Sequence, residues 1–388
     1  MGERSEQLFN RARRVLPGGN TRTTLFIPPR PPYAARGEGY ELEDADGHRV
    51  IDLHANYTSL IHGHAHPAIV ATAGEALREG TAFGLPTEWE IELAEELCRR
   101  VGALERVRFT NSGTEAVMMA VRAARVFTGR SGLLRFDGAY HGTSDAVATD
   151  TSPGVPEAVS RDVVVIPFDD EEAFLSALDE RGDELACVLL DLMPNRAGLR
   201  RASESFARLV REETARRGIV LVVDEVITFR LSRGGVQELY RIDGDLVTFG
   251  KIIGGGFPVG AFGGRAEIME VFDPRGPSAV PHGGTFSANP VTMRAGLAAL
   301  QLLDDPEIAR LNELGERLLA GLREAGVEAV GRGSLLQLGT GNESWWRLYD
   351  AGVLVAPVGL ASISTPMDET VVDEILARAL PVLAGVPA

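Results

Sequence analysis

Short apolar runs alternate with helix-period patterns through most of the chain. The runs are Val107 to Phe109, Leu133 to Phe136, Val163 to Ile166, Val188 to Leu190, Ile219 to Val223 and Leu246 to Phe249. A continuous apolar run of this length predicts a strand covered on both faces, and the helical spacing between runs predicts a crossover helix. Repeated βαβ units build a largely parallel sheet with right-handed connections. The fold class is α/β.

The flanks read differently. Residues 3 to 16 place Leu8, Phe9, Ala12, Val15 and Leu16 on one side of a helix that Pro17, Gly18 and Gly19 end. A proline- and arginine-rich segment follows, predicted extended. Residues 40 to 53 alternate around Asp46-Gly47, which predicts a β-hairpin. From Pro67 to Arg100 the pattern is helical, with a break near Phe83 to Pro86. Beyond residue 290 come two helical patterns, the second striped by Ile308, Leu311, Leu314, Leu318, Leu319 and Leu322. Strands near Leu335 to Leu338 and Gly352 to Val355 and a helix from Asp368 to about Leu383 close the chain. The expected domains are an N-terminal segment (1–62), a large domain (63–290) and a small α+β domain (291–388).

A chain of 388 residues buries ample core. Its formal net charge of -16 argues against nucleic acid as a partner, since phosphate binding needs cations. The two cysteines, Cys98 and Cys187, form no CxxC pair. No apolar segment reaches membrane-helix length, and the N-terminus lacks a signal-peptide core, so a cytoplasmic protein without membrane partners is expected. His62, His64 and His66 alternate, but Gly63 and Pro67 interrupt them; they read as a metal-free turn, and no metal is expected.

The chemistry gathers between Ile219 and Gly260. Asp224 and Glu225 end one strand; Gly250 and Lys251, followed by glycines 254 to 256, end the next. Carboxyl ends of strands are where open α/β sheets bind ligands. Pyridoxal 5'-phosphate needs this pair: a lysine for a Schiff base with its aldehyde, and a carboxylate to keep its pyridine nitrogen protonated. Ser112, Gly113 and Thr114, in FTNSGTEAV, open a helix after another strand, where free N–H groups attract phosphate. Tyr140 and His141 follow the next strand, and Val226 lies two residues past Asp224; an aromatic and an apolar residue there can cover the two faces of a pyridine ring. Read singly, each has an ordinary alternative: helix cap, core packing or solvated charge.

Taken in order, NSGTEA, YHG, DEV, FGKIIGGGFPVGAFGG and GTFSANP resemble the class III pyridoxal-phosphate aminotransferases over essentially the whole chain. The similar branch holds glutamate-1-semialdehyde aminomutase and the β-amino-acid aminotransferases; PGGNTR, NYTSLIHGHAHP and DEVITFRL look more like the latter. The resemblance implies a fold-type-I homodimer with shared active sites. It gives Lys251 the Schiff base, Asp224 the pyridine nitrogen, Tyr140 and Val226 the ring faces, and His141 a place at the cofactor. Ser112, Gly113 and Thr114 take the phosphate, with Thr285 reaching it from the partner subunit. Arg22 and Tyr57 fall on the substrate side, Arg22 against a carboxylate.

Four departures bear on the substrate. Asp191-Leu192 stands where the family has Glu-Pro, Phe229-Arg230 lacks the aminomutases' preceding glycine, and the loop 356–364 has no acidic residue. Val358 stands about where aryl β-amino-acid enzymes carry a second arginine. The expected activity is transamination between a carboxylated amine, such as a β-amino acid, and an oxo acid, through a pyridoxamine phosphate form. The alternatives are an aminomutase-type isomerase and a non-catalytic cofactor-binding protein.

Overall fold

The computed structural model describes residues 2–149, 151–276 and 279–384. The chain divides into two compact units, residues 71–305 and residues 1–70 with 306–388. The N-terminal segment thus shares a unit with the C-terminal strands, while helix Pro290–Leu302 falls in the other.

The unit of residues 71–305 is built on seven strands: β4 (Arg106–Thr110), β5 (Gly132–Phe136), β6 (Val163–Ile166), β7 (Leu185–Leu190), β8 (Val220–Asp224), β9 (Leu246–Gly250) and β10 (Gly260–Gly264). Their order is β4-β10-β9-β8-β7-β5-β6, and only β10 runs antiparallel to its neighbours. All six runs read from the sequence are strands here. The seventh, β10, has the sequence GAFGG and no apolar run to mark it. Its glycines are steric necessities: a Cβ on Gly260, Gly263 or Gly264 would run into the carbonyl of Ser112, Arg106 or Asp245.

Helix Gly113–Thr128 covers one sheet face, burying Ala116, Val117, Ala120 and Ala124 against Leu133, Cys187, Val222 and Phe262. Phe136, Phe168, Phe174 and Phe206 form a mostly edge-to-face cluster elsewhere in the core, with ring centroids 5.2–6.3 Å apart.

In the other unit, β1 (Ala34–Glu38), β2 (Glu41–Asp44) and β3 (Arg49–Asp52) form an antiparallel meander. The expected hairpin is β2–β3, and β13 (Val353–Leu354) adds in parallel to β3. Strands β11 (Ala329–Arg332), β12 (Leu335–Leu338) and β14 (Leu360–Ser362) make a second small sheet. The first helix spans Glu3–Ala12, shorter than the expected 3–16. Pro17 disfavours helical backbone at Leu16, which is extended (φ -124°, ψ 125°), and Val15 is left 79% exposed.

Candidate active site

Strands β8 and β9 are parallel neighbours, with Asp224 opposite Thr248 and Lys251 just past the end of β9. Thr248 Oγ1 donates to Asp224 Oδ1 at 3.0 Å, and the Val226 amide donates to the same oxygen at 3.1 Å. The other oxygen, Oδ2, lies 2.6 Å from His141 Nδ1. Three donors therefore fix a carboxylate that is 5% exposed, which holds its orientation for a fourth partner. His141 Nε2, also buried, has no hydrogen-bond partner among the described residues. Glu225, the second carboxylate of the pair, faces elsewhere. It accepts from the amides of Val236 at 2.9 Å and Gln237 at 2.8 Å and from Thr228 at 2.5 Å, and burial pushes it up to about 7. Alternation along the strand separates the two acids into a site residue and a structural one.

Lys251 has left-handed backbone (φ 53°) and is half-buried. Burial pushes its ammonium pKa down, with Asp224 and Asp191 pulling it partly back. That favours the neutral amine, the form that is nucleophilic and can accept a proton. Lys251 is also the only lysine among the chain's 39 lysines and arginines. This is the clearest signal of the residue's role that the sequence holds. An arginine carries the same surface charge but does not deprotonate, so it could not take this position.

Ser112 caps helix Gly113–Thr128, its Oγ accepting from the Glu115 amide at 3.2 Å. The amides of Gly113 and Thr114 sit in the first turn, where helix geometry supplies no partner. This loop is closely walled. A Cβ on Gly113 would lie 3.1 Å from Val226, and Gly142 (φ 92°) has no room for one beside Thr114. Val226 thus packs against the turn.

Tyr140 is 37% exposed, and the Arg196 guanidinium lies 4.4 Å from its ring centroid. Arg196 and Asp191, both past the end of β7, escape sequence reading as site neighbours. The register Leu190↔Val223 puts Asp191 beside Asp224. Burial first, and the Asp224 charge second, push Asp191 up to about 7.

Pyridoxal phosphate fits this edge. A fixed carboxylate, a lysine with a lowered pKa, an unpartnered imidazole nitrogen and a walled helix N-terminus lie in one unit, at adjoining strand ends. Thr285 lies in the same unit but lines a different cavity, with Phe83, Pro86 and Asn289.

Arg22 and Tyr57 belong to the other unit. Arg22 Nη1 donates to Asn56 Oδ1 at 2.8 Å, and Tyr57 Oη donates to the Thr24 carbonyl at 2.5 Å. Asn56 and Tyr57 lie in a run of four consecutive non-glycine residues, Ala55 to Thr58, with φ of 43°, 49°, 57° and 67°. Such backbone costs roughly 1–2 kcal/mol per residue and is retained where the surroundings enforce it. The three histidines do not share a strand face. His64 Nε2 lies 2.7 Å from Asp52, an acidic neighbour that the local sequence does not suggest, and His62 Nδ1 lies 3.2 Å from Thr365. Among the described residues no group of three or more His, Cys, Asp or Glu could hold a metal ion. Nor is any helix among them long and apolar enough to cross a membrane.

His54, which precedes the left-handed run, has a buried Nε2 without a hydrogen-bond partner among the described residues, and burial pushes its pKa down to about 4. The unfolded chain binds its proton near pH 6.5 and the folded chain only near 4, so the stability difference is lost as pH falls between those values. Against His54→Gln, which does not titrate, the wild type should lose roughly 3 kcal/mol of stability from pH 6.5 to 4. Urea unfolding of both proteins across that range checks this; parallel curves would contradict it.

The profile of the family described as Aminotransferase class-III matches residues 29–384. A glutamate-1-semialdehyde 2,1-aminomutase of Methanothermobacter thermautotrophicus is 43% identical over 371 residues, which is 93% of this chain and 87% of that protein. An omega-transaminase from Sphaerobacter thermophilus is 46% identical in sequence; its structure superposes with a TM-score of 0.95, covering 98% of this chain and 97% of its own. A β-phenylalanine aminotransferase from Variovorax paradoxus is 36% identical, with a TM-score of 0.91 over 98% of this chain and 94% of its own.

Proposed function

The chain belongs to the class III aminotransferases, and from that premise we propose that it is a transaminase moving an amino group from a carboxylated amine, such as a β-amino acid, to an oxo acid. It is an enzyme, and its cofactor is pyridoxal 5'-phosphate, in keeping with the family and with a 41%-identical neighbour described as a transaminase with PLP bound. The observation that carries the reading is the chain's only lysine placed one residue past β9, beside the strand that ends in Asp224.

When bound, pyridoxal phosphate supplies an aldehyde that bonds an amine covalently and a cationic ring that accepts the electrons left by a departing proton. Lys251 would hold the group covalently and, with its amine free, would take and return the proton at its Nζ as base and then acid. Asp224 is the carboxylate for the pyridine nitrogen, with His141 and Thr248 fixing it. Ser112, Gly113 and Thr114 receive the phosphate, and Tyr140 and Val226 flank the ring. Thr285 of a second copy adds to the phosphate site in a homodimer. Exposed Leu77, Phe83, Leu85 and Ile91 support a covered face, and sedimentation reads the subunit number.

Arg22 is the anchor for the donor's carboxylate, with Tyr57 beside it. Arg22→Ala should raise KM for carboxylated amines about 10- to 100-fold, the worth of one charge-assisted contact, and leave neutral amines within about threefold. Arg22→Lys should recover only part, because an ammonium makes no planar fork. Equal effects on both amine classes would contradict the assignment.

The names of the curated relatives favour a second reading, an isomerase that shifts an amino group within one substrate. Incubating donor amines with and without pyruvate or 2-oxoglutarate separates the two. Product formation that needs the acceptor supports the transaminase; turnover of glutamate 1-semialdehyde with no acceptor overturns it.

A further inference from the structure

Three neighbouring strand ends bring ionisable side chains together in the unit of residues 71–305. Across β9, β8 and β7 these are Lys251, Asp224 and Asp191. The register Leu190↔Val223, carried one residue further, sets Asp191 directly opposite Asp224. Residues paired in this way across parallel strands point to the same face, and neighbouring strands lie about 4.8 Å apart. The two carboxyl groups therefore share one side of the sheet edge at short range, and each residue is only 5% exposed. His141 completes the group. It follows β5, and in reaching Asp224 it crosses the end of β7, where Asp191 stands.

Two buried carboxyl groups this close do not both ionise, because each negative charge opposes the other in a medium that screens poorly; the pair holds a proton. Hydrogen bonds decide where it sits. Asp224 is held by His141, Thr248 and the Val226 amide. Asp191 accepts at one oxygen, Oδ1, from the Met193 amide at 2.9 Å. The carboxyl with fewer donors gains less from being charged, so the proton falls to Asp191. Burial first and the Asp224 charge second push its pKa up to about 7; His141 draws it the other way, and Glu225, on the opposite face, adds to the push. Lys251 is coupled to the same group, since the Asp191 charge favours its ammonium form. Asp137, which follows β5, is exposed, so water screens its charge.

We propose that Asp191 is a positioning residue that links cofactor binding to proton release: it keeps the proton of the Asp191–Asp224 pair in the empty site and yields it when a cationic ring settles beside Asp224. The proposal rests on the reading of Asp224 as the partner of the pyridine nitrogen. A cation at the pair compensates a second negative charge, which lowers the cost of ionising Asp191. The carboxyl O–H bond breaks, its electron pair stays on Asp191, and the proton passes to the buffer. Binding that releases a proton strengthens as pH rises, until Asp191 is ionised in the empty site as well.

The test titrates the full-length apoenzyme with pyridoxal 5'-phosphate in a calorimeter, in buffers of different ionisation enthalpy, so that the dependence of heat on buffer counts protons. At about pH 6.5 the wild type should release roughly half a proton more per chain than Asp191→Asn, and the difference should vanish by about pH 8.5. The asparagine Oδ1 can still accept from the Met193 amide, so the fold should persist. Asp191→Glu keeps a carboxyl at the strand end; it should release protons at the lower pH, and it serves as the comparison if the asparagine variant does not fold. As a second readout, the pH midpoint of the cofactor absorbance in the holoenzyme should fall by about 0.5 or more in Asp191→Asn, because a negative charge near Lys251 is gone. Equal proton counts in the wild type and Asp191→Asn, with an unchanged midpoint, overturn the role of Asp191, even if Asp224→Asn still loses kcat. Near-normal kcat in Asp224→Asn would instead remove the premise, and the proposal with it.

Discussion

Lys251→Ala will lose turnover by about 10⁴-fold or more, because it removes the only side chain here that can both bond the cofactor and carry the proton. The loss should be chemical and not structural. Position 251 has φ of 53°, and alanine meets the same left-handed penalty there as lysine, so the substitution adds no backbone strain. Deleting a half-buried ammonium also removes a desolvation cost. The cofactor should still bind through the turn at Ser112 to Thr114, without a covalent link, and a small added amine should restore part of the activity. Turnover above about 1% of wild type without added amine would contradict the assignment.

Asp224→Asn is the second large effect, roughly 10²- to 10³-fold in kcat, typical of removing one oriented electrostatic partner from an enclosed site. The asparagine can keep its Oδ1 contacts from Thr248 and the Val226 amide. Its amide nitrogen then faces His141 Nδ1, which can accept if the imidazole is protonated on Nε2. The fold should persist while the charge opposite the pyridine nitrogen is gone. Near-normal kcat in this variant would show that the ring does not depend on that carboxylate.

The parallel sheet was legible because β5 and β7 to β9 are buried on both faces and therefore spell continuous apolar runs, while the edge strand β6 keeps an apolar run although it is only partly buried. Asp224 and Lys251 were legible because they interrupt such runs at their ends. Strand β10 was hidden, since close backbone contacts select glycine there and erase the apolar signal. Asp191 and Arg196 follow β7 in sequence, but their neighbours, Asp224 and Tyr140, are set by strand order and loop path. Asn56 was hidden for a different reason. A tyrosine and a threonine in left-handed backbone contradict local preference, as sites under functional constraint often do. The helix at the N-terminus was overextended because apolar spacing continued past Ala12, while Pro17 decided where it stopped.

The central claim is that Lys251 carries the cofactor, and borohydride reduction of the holoenzyme tests it most directly. Reduction turns the lysine–cofactor link into a stable amine that survives digestion and mass spectrometry. With one lysine in the chain, the ε-amino chemistry has a single possible address, and the N-terminal amine is the internal control. The account predicts one pyridoxyl group per chain, on the peptide that contains Lys251. A pyridoxyl group on the N-terminus alone, or none on a chain that is active and saturated with cofactor, would contradict it.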